Sequence, residues 1–575
     1  MFEQQVSWVQ YLFTFVMSGG MGWIVGFVLF NDKARHLRKW LWLAFVALLI
    51  VASVWSRSSF GFFVIFIAGA TAGAMMFKAA VTARTRQRST AFGSAAWATI
   101  DDMRNGKLID TAGLRLGEVT EFTFANDVPT PRTHALGYAG DRHLLTVAPT
   151  RSGKGVSAII PNLLTYAGSA VVIDPKGENA MITAARRGQG RAAVTGLGQQ
   201  VHVVDPWGIT GLPAACFNPL DWLRADDPDI SENAMMLADS IVIPSGEGKD
   251  RFWDEEAKAL LMGILLYVAL DEIEQPRRTL GRVRDIIVMG GEQLDNVLAQ
   301  MGINPNPIVS STAARTMSKE KELRASVMAS LQSHTHFLDS PRIRASLEKS
   351  DFRFEDLKAA PTTVYLVLPS DRLNTFGRWL RLLIQQAITV NARNIAQKPP
   401  KPILFLLDEM PTLGRLTMVE QAYGLMAGFG MQLWGIVQDL SQLERIYDKG
   451  WETFISNAGV LQYFGSRDQK TAEYFSKLCG VTTFEKTSIS STIARAFGSS
   501  SPGGGSNEST THTESTSTDV AQRHLAFADE LMVMRKGQQL LFVEEVNPIM
   551  AQRSNWYADP ELKALGVNLH ALANA

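Results

Sequence analysis

The sequence predicts an α/β protein: a domain built on a parallel sheet, an all-α subdomain inserted into it, and a transmembrane anchor ahead of both. Three observations carry that reading. The part before Arg88 holds three apolar stretches without a charge. Beyond it, short apolar runs without polar alternation recur, each closing on a turn with a polar residue, as strands buried on both faces do. Between about 231 and 358 those runs nearly vanish and helical periodicity takes over.

The anchor comes first in the chain. Tyr11–Phe30 carries no charge and is about long enough to span a hydrocarbon core. Two further apolar stretches, Trp40–Trp55 and Ser58–Phe77, flank a lone Arg57. Residues 1–88 are therefore expected to form the anchor, with spans at about 11–30, 40–55 and 58–77; reading the pair around Arg57 as one hairpin leaves two spans open instead of three. The start, MFEQQ, lacks the basic opening of a signal peptide, so removal is not expected. Basic residues fall in two clusters, Lys33, Arg35, Arg38 and Lys39, then Lys78, Arg84, Arg86 and Arg88. Both lie on the cytoplasmic side if two spans separate them, which puts the C-terminal bulk inside, with lipid around the spans. The pairs Gly22/Gly26 and Gly69/Gly73 permit close helix packing.

After Arg88 the expected strands are HLLTVAPT, SAVVIDPKG, VHVVDPWG, TVYLVLPS, ILFLLDE, LWGIVQD, VLQYFGS and QQLLFVEEV. Residues 89–230 and 359–575 are read as the sheet domain and 231–358 as the all-α subdomain, where FWDEEAKALLMGILLYVALDEI opens on an acidic turn that suits a helix start. The Ser/Thr/Gly-rich stretch at about 488–519 is expected to be a mobile loop, because it has little apolar surface to bury. Composition narrows the chemistry. Lys plus Arg and Asp plus Glu both number 56, so no basic coat is present, though a local basic channel is compatible with that balance. Cys216 and Cys479 are the only cysteines and neither has a partner at metal spacing, which argues against a zinc site or a disulfide framework.

Ligands of parallel sheets collect beyond the carboxyl ends of the strands, where Pro149, Asp174, Asp205, Pro369, Asp408 and Gln438 all fall. The strongest local signal is APTRSGKG, Ala148–Gly155, between a strand and an apolar run. Successive N–H groups from small residues, leading into a helix, make a phosphate cradle. Thr150, Arg151, Ser152, Gly153, Lys154, Gly155 and Val156 are the expected nucleotide-binding residues, with Lys154 reaching the β- and γ-phosphates. The pattern departs from GxxxxGK[ST] at Ala148 and at Gly155, which stands where a magnesium-binding hydroxyl is usual; Thr150 and Ser157 are the substitutes nearby. Pro161 limits or kinks the following helix. The second signal is PILFLLDEM, Pro402–Met410, an apolar strand ending in two carboxylates. Asp408 is expected to hold Mg2+, directly or through water, and Glu409 to activate the attacking water of ATP hydrolysis. The third is MQLWGIVQD, which places Gln438 level with them as a reader of the γ-phosphate.

Arg415 and Arg467 are candidates to reach a neighbouring subunit's nucleotide if subunits form a ring. Asp174, Lys176 and Asp205 are read as structural or coupling residues. His334 and His336 lack a third ligand at a recognisable spacing, and no serine elbow or Cys–His arrangement supports peptide or ester hydrolysis.

Taken together, the chain resembles the coupling ATPases of type IV secretion and conjugation, in their TraG-like branch. The likeness is carried by APTRSGKGVSAIIPNLL, VVIDPKGE, CFNPLD, FWDEEAKALL, LLDEMPTLGRL, YGLMAGFGMQLWGIVQDLSQLERIY and NAGVLQYFGSRDQKTAEYFSKL, in family order between about Leu144 and Leu478. Gly155 looks like this branch's own form of the loop. The resemblance implies a RecA-like nucleotide domain, an all-helical domain at the cytosolic entrance, and a homo-hexamer around a channel in the bacterial inner membrane. It also implies that relaxase-bound single-stranded DNA is received and handed to components of the type IV secretion channel. Two other readings share the nucleotide site: a docking ATPase for protein effectors that moves no DNA, and a chromosome-segregation translocase, whose winged-helix module is not read in this sequence.

Overall fold

The structure is a computed structural model that describes residues 12, 15–16, 18–19, 67–78, 92–125, 128–191, 193–243, 249–498 and 507–569. The apolar runs become strands because they are buried on both sides. β1 (Leu114–Ala125), β2 (Val128–Tyr138), β3 (His143–Val147), β4 (Ala170–Asp174), β5 (Gln200–Val204), β6 (Thr362–Val367), β7 (Ile403–Leu407), β8 (Met431–Val437), β9 (Ala458–Tyr463), β10 (Gln538–Val543) and β11 (Ile549–Gln552) make one sheet of 11 strands. Its order is β2-β1-β11-β10-β9-β3-β8-β7-β4-β6-β5. From β9 to β5 every pairing is parallel, with Trp434 opposite Leu144 and Leu433 opposite Phe405 fixing the register of β8 between β3 and β7. β10, β11, β1 and β2 continue the sheet antiparallel.

Alternate residues of each central strand enter different cores, as the two-residue period demands. Leu145, Val171, Ile173, Phe405 and Leu407 face one core, while Leu144, Val172, Leu404, Leu406 and Trp434 face the other. The first core runs without a break into the helical insertion, whose Leu261, Ile264 and Leu265 are fully buried in it. Helices Ile230–Ile241, Lys249–Leu270, Leu280–Val288, Gly291–Gly302, Pro307–Met317 and Lys321–Thr335 occupy that insertion. Sheet and insertion therefore make one compact unit, Ala95–Gly480 with His524–Ala575; Met1–Ser94 with Val481–Arg523 make a second.

Two expectations are corrected. The sheet is mixed, because the polar, alternating LRLGEVTEFTFA and VPTPRTHALGY pair with each other and extend one edge. The stretch at 488–519 is not a loop throughout: Val481–Gly498 and Asn507–His524 form a two-stranded sheet of their own. Thr and Ile favour extended backbone, and each strand satisfies the other's amide groups without needing a large apolar face.

Among the described residues no helix is long and apolar enough to cross a membrane. The spans expected at 11–30, 40–55 and 58–77 lie mostly outside those residues, with 67–78 helical.

Candidate nucleotide-binding site

β3 delivers the chain to the loop Ala148–Lys154, which is tied at its start by Ala148 N–H donating to the Val437 carbonyl at 2.8 Å. Inside the loop Ser152 N–H returns to the Pro149 carbonyl at 3.1 Å. Arg151 and Gly153 take left-handed φ values of +62° and +93°, and at Gly153 a side chain would be strained whatever the space around it. The chain then winds as a π turn, Gly155–Ile159, and continues as the α-helix Ile160–Thr165 with Pro161 in its first turn. Pro161 has no N–H for the carbonyl four residues back, and the wide turn is where the helix absorbs that loss. The proline thus neither ends nor prevents the winding; it sets the π-to-α boundary.

β7 ends beside this loop, with β8 between β7 and β3. Lys154 Nζ lies 2.8 Å from Asp408 Oδ1 and 2.5 Å from Glu409 Oε1. Gln438, just past β8, donates from Nε2 to Glu409 Oε2 at 3.0 Å, and Gln442 donates to Gln438 Oε1 at 3.4 Å. The residues proposed for chemistry from three separate strand ends therefore form one contiguous cluster. Burial opposes the Lys154 ammonium, but Asp408 and Glu409 outweigh it and hold its pKa above the ordinary lysine value. Burial pushes the Asp408 carboxyl up, and the attraction of Lys154 offsets part of that. Glu409 sits in the left-handed region at φ +54°, ψ +42°, pinned by its carbonyl, which accepts from Thr412 Oγ1 at 2.8 Å.

The hydroxyls near the loop differ in their availability. Thr150 is exposed, Ser157 Oγ already donates to the Gly153 carbonyl at 2.8 Å, and Ser152 Oγ is buried with no hydrogen-bond partner. A side chain at Gly155 would meet nothing within 4 Å. Arg151 is exposed, and Val156 packs against the small core around Trp556 and Leu562.

Other candidates have structural partners. Asp174 accepts from Ala180 N–H at 2.9 Å, and burial raises its pKa to about 7. Asp205 accepts from Thr210 N–H and Oγ1, both at 2.9 Å. Lys176 is exposed. Arg467 is exposed, and Arg415, 56% exposed, lies 3.7 Å from Glu420. His334 and His336 pair with different carboxylates, Asp254 at 2.7 Å and Asp339 at 2.9 Å. A cavity of about 270 Å³ lies in the helical insertion, lined by Glu256, Arg315, Lys319 and Arg324. Its cations are already paired, Lys319 with Glu256 at 2.9 Å and Arg324 with Asp295 at 2.9 Å.

The sequence reading missed Arg553 and Arg381. Arg553 Nη1 donates to the Ser152 carbonyl. Arg381, on the helix Leu373–Arg393, donates from Nε to the Ser240 carbonyl at 3.0 Å and from Nη1 to those of Leu413 at 3.4 Å and Arg415 at 2.5 Å. Neither arginine lies in a recognisable motif; each matters only through contacts distant in sequence.

The chain is of the mixed α/β class, with neighbouring strand ends that bring together a glycine-bearing loop, a lysine, two carboxylates and an amide. Within that class, the chain belongs to the family described as type IV secretory system conjugative DNA transfer, whose model matches residues 96–575. It is similar to the conjugal transfer protein TraG of Escherichia coli, 30% identical over 437 residues that cover 70% of this chain and 66% of that one. It is similar also to the VirD4 protein of Agrobacterium fabrum, 32% identical over 371 residues, 62% of this chain and 52% of that one. The chain thus spans between 52% and 66% of the length of these curated relatives. Its fold matches the plasmid coupling protein TrwB solved with the ATP analogue ADPNP, at a TM-score of 0.56 and 14% identity over 81% of this chain and 96% of that one. TrwB solved with ADP and Mg2+ matches at 0.56 and 15%, with the same coverage of 81% and 96%.

Proposed function

We propose that this protein is the coupling ATPase of a type IV secretion system, hydrolysing ATP at the Lys154–Glu409 site to pass relaxase-bound single-stranded DNA to the secretion channel. The observation that carries the proposal is the cluster in which Lys154 bridges Asp408 and Glu409 while Gln438 holds the far oxygen of Glu409. Family membership and the names of the relatives, conjugal transfer proteins, support the DNA-transfer half.

The cluster suits hydrolysis in a definite way. Lys154 bridges the two carboxylates, Asp408 and Glu409. Nucleotide phosphates offer the ammonium a stronger anionic partner, and its departure leaves Glu409 Oε1 without a donor. That oxygen then serves as the base that orients water, while Gln438 fixes the carboxylate plane through Oε2. Asp408 supplies the hard oxygen donor that Mg2+ prefers, and buried Ser152 Oγ is the loop hydroxyl without a partner. Bound there, Mg2+ would neutralise charge developing on the transferred phosphoryl group.

In the same proposal the chain sits in the bacterial inner membrane through its apolar N-terminal stretches, assembles as a homo-hexamer, and offers exposed Arg415 or Arg467 to a neighbour's nucleotide. The test is transfer from donor cells whose own coupling gene is deleted and replaced by this one. Glu409→Gln is expected to lower DNA transfer by roughly 100-fold or more while the protein stays at wild-type abundance. Transfer by Glu409→Gln at the wild-type rate would refute the proposal.

A further inference from the structure

The phosphate loop is held from a part of the chain about 400 residues away in sequence. Arg553 follows β11 directly, and its Nη1 donates to the carbonyl of Ser152, 401 positions earlier in the chain. Its guanidinium carbon lies 4.3 Å from the centroid of Phe464. Phe464 continues β9, and its N–H donates to the Val147 carbonyl at 3.0 Å, so the ring is fixed to the strand that feeds the loop. Arg553's own N–H donates to the Gly537 carbonyl at 2.6 Å. Three residues on, Trp556 N–H donates to the Val156 carbonyl at 3.0 Å. The segment Arg553–Trp556 therefore grips the loop on both sides of Lys154.

The peptide plane between Ser152 and Gly153 gives that grip a purpose. In a trans peptide the carbonyl and the following N–H point in opposite directions. A cradle for phosphate needs N–H groups facing inward and carbonyls facing out. Gly153, which follows this plane, is left-handed at φ +93°, and because glycine itself sets no preference the plane depends on an outside partner. A planar guanidinium stacked on an aromatic ring is a rigid donor for such a carbonyl. We propose that Arg553 is a positioning residue of the nucleotide site: by holding the Ser152 carbonyl outward it turns the Gly153 N–H toward the phosphates, making the C-terminal segment part of the ATP-binding machinery. Burial lowers the Arg553 pKa from the usual arginine value, in keeping with a cation whose Nε is buried and unpartnered.

This inference rests on reading Ala148–Gly155 as a phosphate loop, and the experiment separates the two. Detergent-solubilised full-length protein is titrated with a fluorescent ATP analogue and Mg2+, and its turnover is measured alongside. Arg553→Met is expected to weaken nucleotide binding and raise KM about tenfold, the equivalent of one charge-assisted hydrogen bond, with kcat within about twofold because Glu409 and Gln438 are untouched. Arg553→Lys, which keeps a charged donor, is expected to recover part of the affinity. Phe464→Leu, which removes the stacking surface but keeps an apolar side chain, is expected to raise KM in the same sense and covers the case in which Arg553→Met does not fold. A merely structural role would lower the melting temperature and the active fraction without moving KM. Unchanged affinity in folded Arg553→Met, or in Phe464→Leu when Arg553→Met does not fold, overturns the inference. Lys154→Ala is run in parallel: loss of binding there with a neutral Arg553→Met refutes Arg553 alone, whereas intact binding in Lys154→Ala refutes the phosphate loop itself.

Discussion

Glu409 occupies backbone space that a non-glycine residue enters at a cost of about 1–3 kcal/mol. The strain sits on the carboxylate that faces both Lys154 and Gln438, so backbone and side chain are specified together. On the role proposed for Glu409, Glu409→Gln keeps that shape and removes the base; it is expected to bind ATP normally and turn it over at least about 100-fold more slowly, as a single-turnover assay would register. Gln438→Ala leaves Glu409 Oε2 without its donor, and kcat is expected to fall about tenfold with little change in KM. Gly155 is surrounded by open space, so Gly155→Ser is expected to fold and to lower the Mg2+ concentration for half-maximal turnover; an unchanged Mg2+ dependence would show that a hydroxyl there does not reach the ion.

Asp174 gives a pH signature. Burial raises its pKa from 3.8 to about 7, so the folded state keeps a proton that the unfolded chain releases. Its contribution to stability is complete below about pH 4 and is lost as pH rises through about 7. Asp174→Asn retains an oxygen for the Ala180 N–H and carries no charge, so its stability relative to wild type should rise by a few kcal/mol between about pH 5 and pH 8. Urea denaturation at several pH values reads this directly, and parallel curves for the two proteins would contradict it.

At the scale of elements, Arg381 joins the helix Ile230–Ile241 of the insertion to the turn that follows Glu409. It donates to buried carbonyls, and burial lowers its pKa to about 10. Arg381→Met is expected to destabilise the fold by on the order of 3 kcal/mol, because those carbonyls lose a charged donor; a melting temperature equal to wild type would remove Arg381 from that role. The strands that place the site were legible because β3, β4, β6, β7 and β8 are mostly apolar and buried at every position. The outer strands were harder. β1 alternates polar residues and carries a register shift between Arg115 and Gly117, and its identity depends on pairing with β2 and with β11 at the far end of the chain. Arg553 was illegible for the same reason: nothing local to Ala551–Arg553 announces that β11 lies two strands from β9, which brings the arginine to Phe464 and Ser152.

At the scale of the molecule, the insertion and the parallel strands share one core, so a change at the carboxyl edge of the sheet has a packed route into the helices. Lys154, Glu409 and Gln438 were found by three short motifs, but their meeting required the sheet order that seats β8 between β3 and β7. On the proposed function, ATP hydrolysed at this site serves the movement of DNA. Its most direct test is the ATP turnover of detergent-solubilised full-length protein, with and without single-stranded DNA, for the wild type and Glu409→Gln. Turnover of the wild type is expected to rise severalfold with DNA, and the variant is expected to show neither turnover nor stimulation. Equal turnover in the two proteins, or a wild-type rate that DNA leaves unchanged, would contradict it.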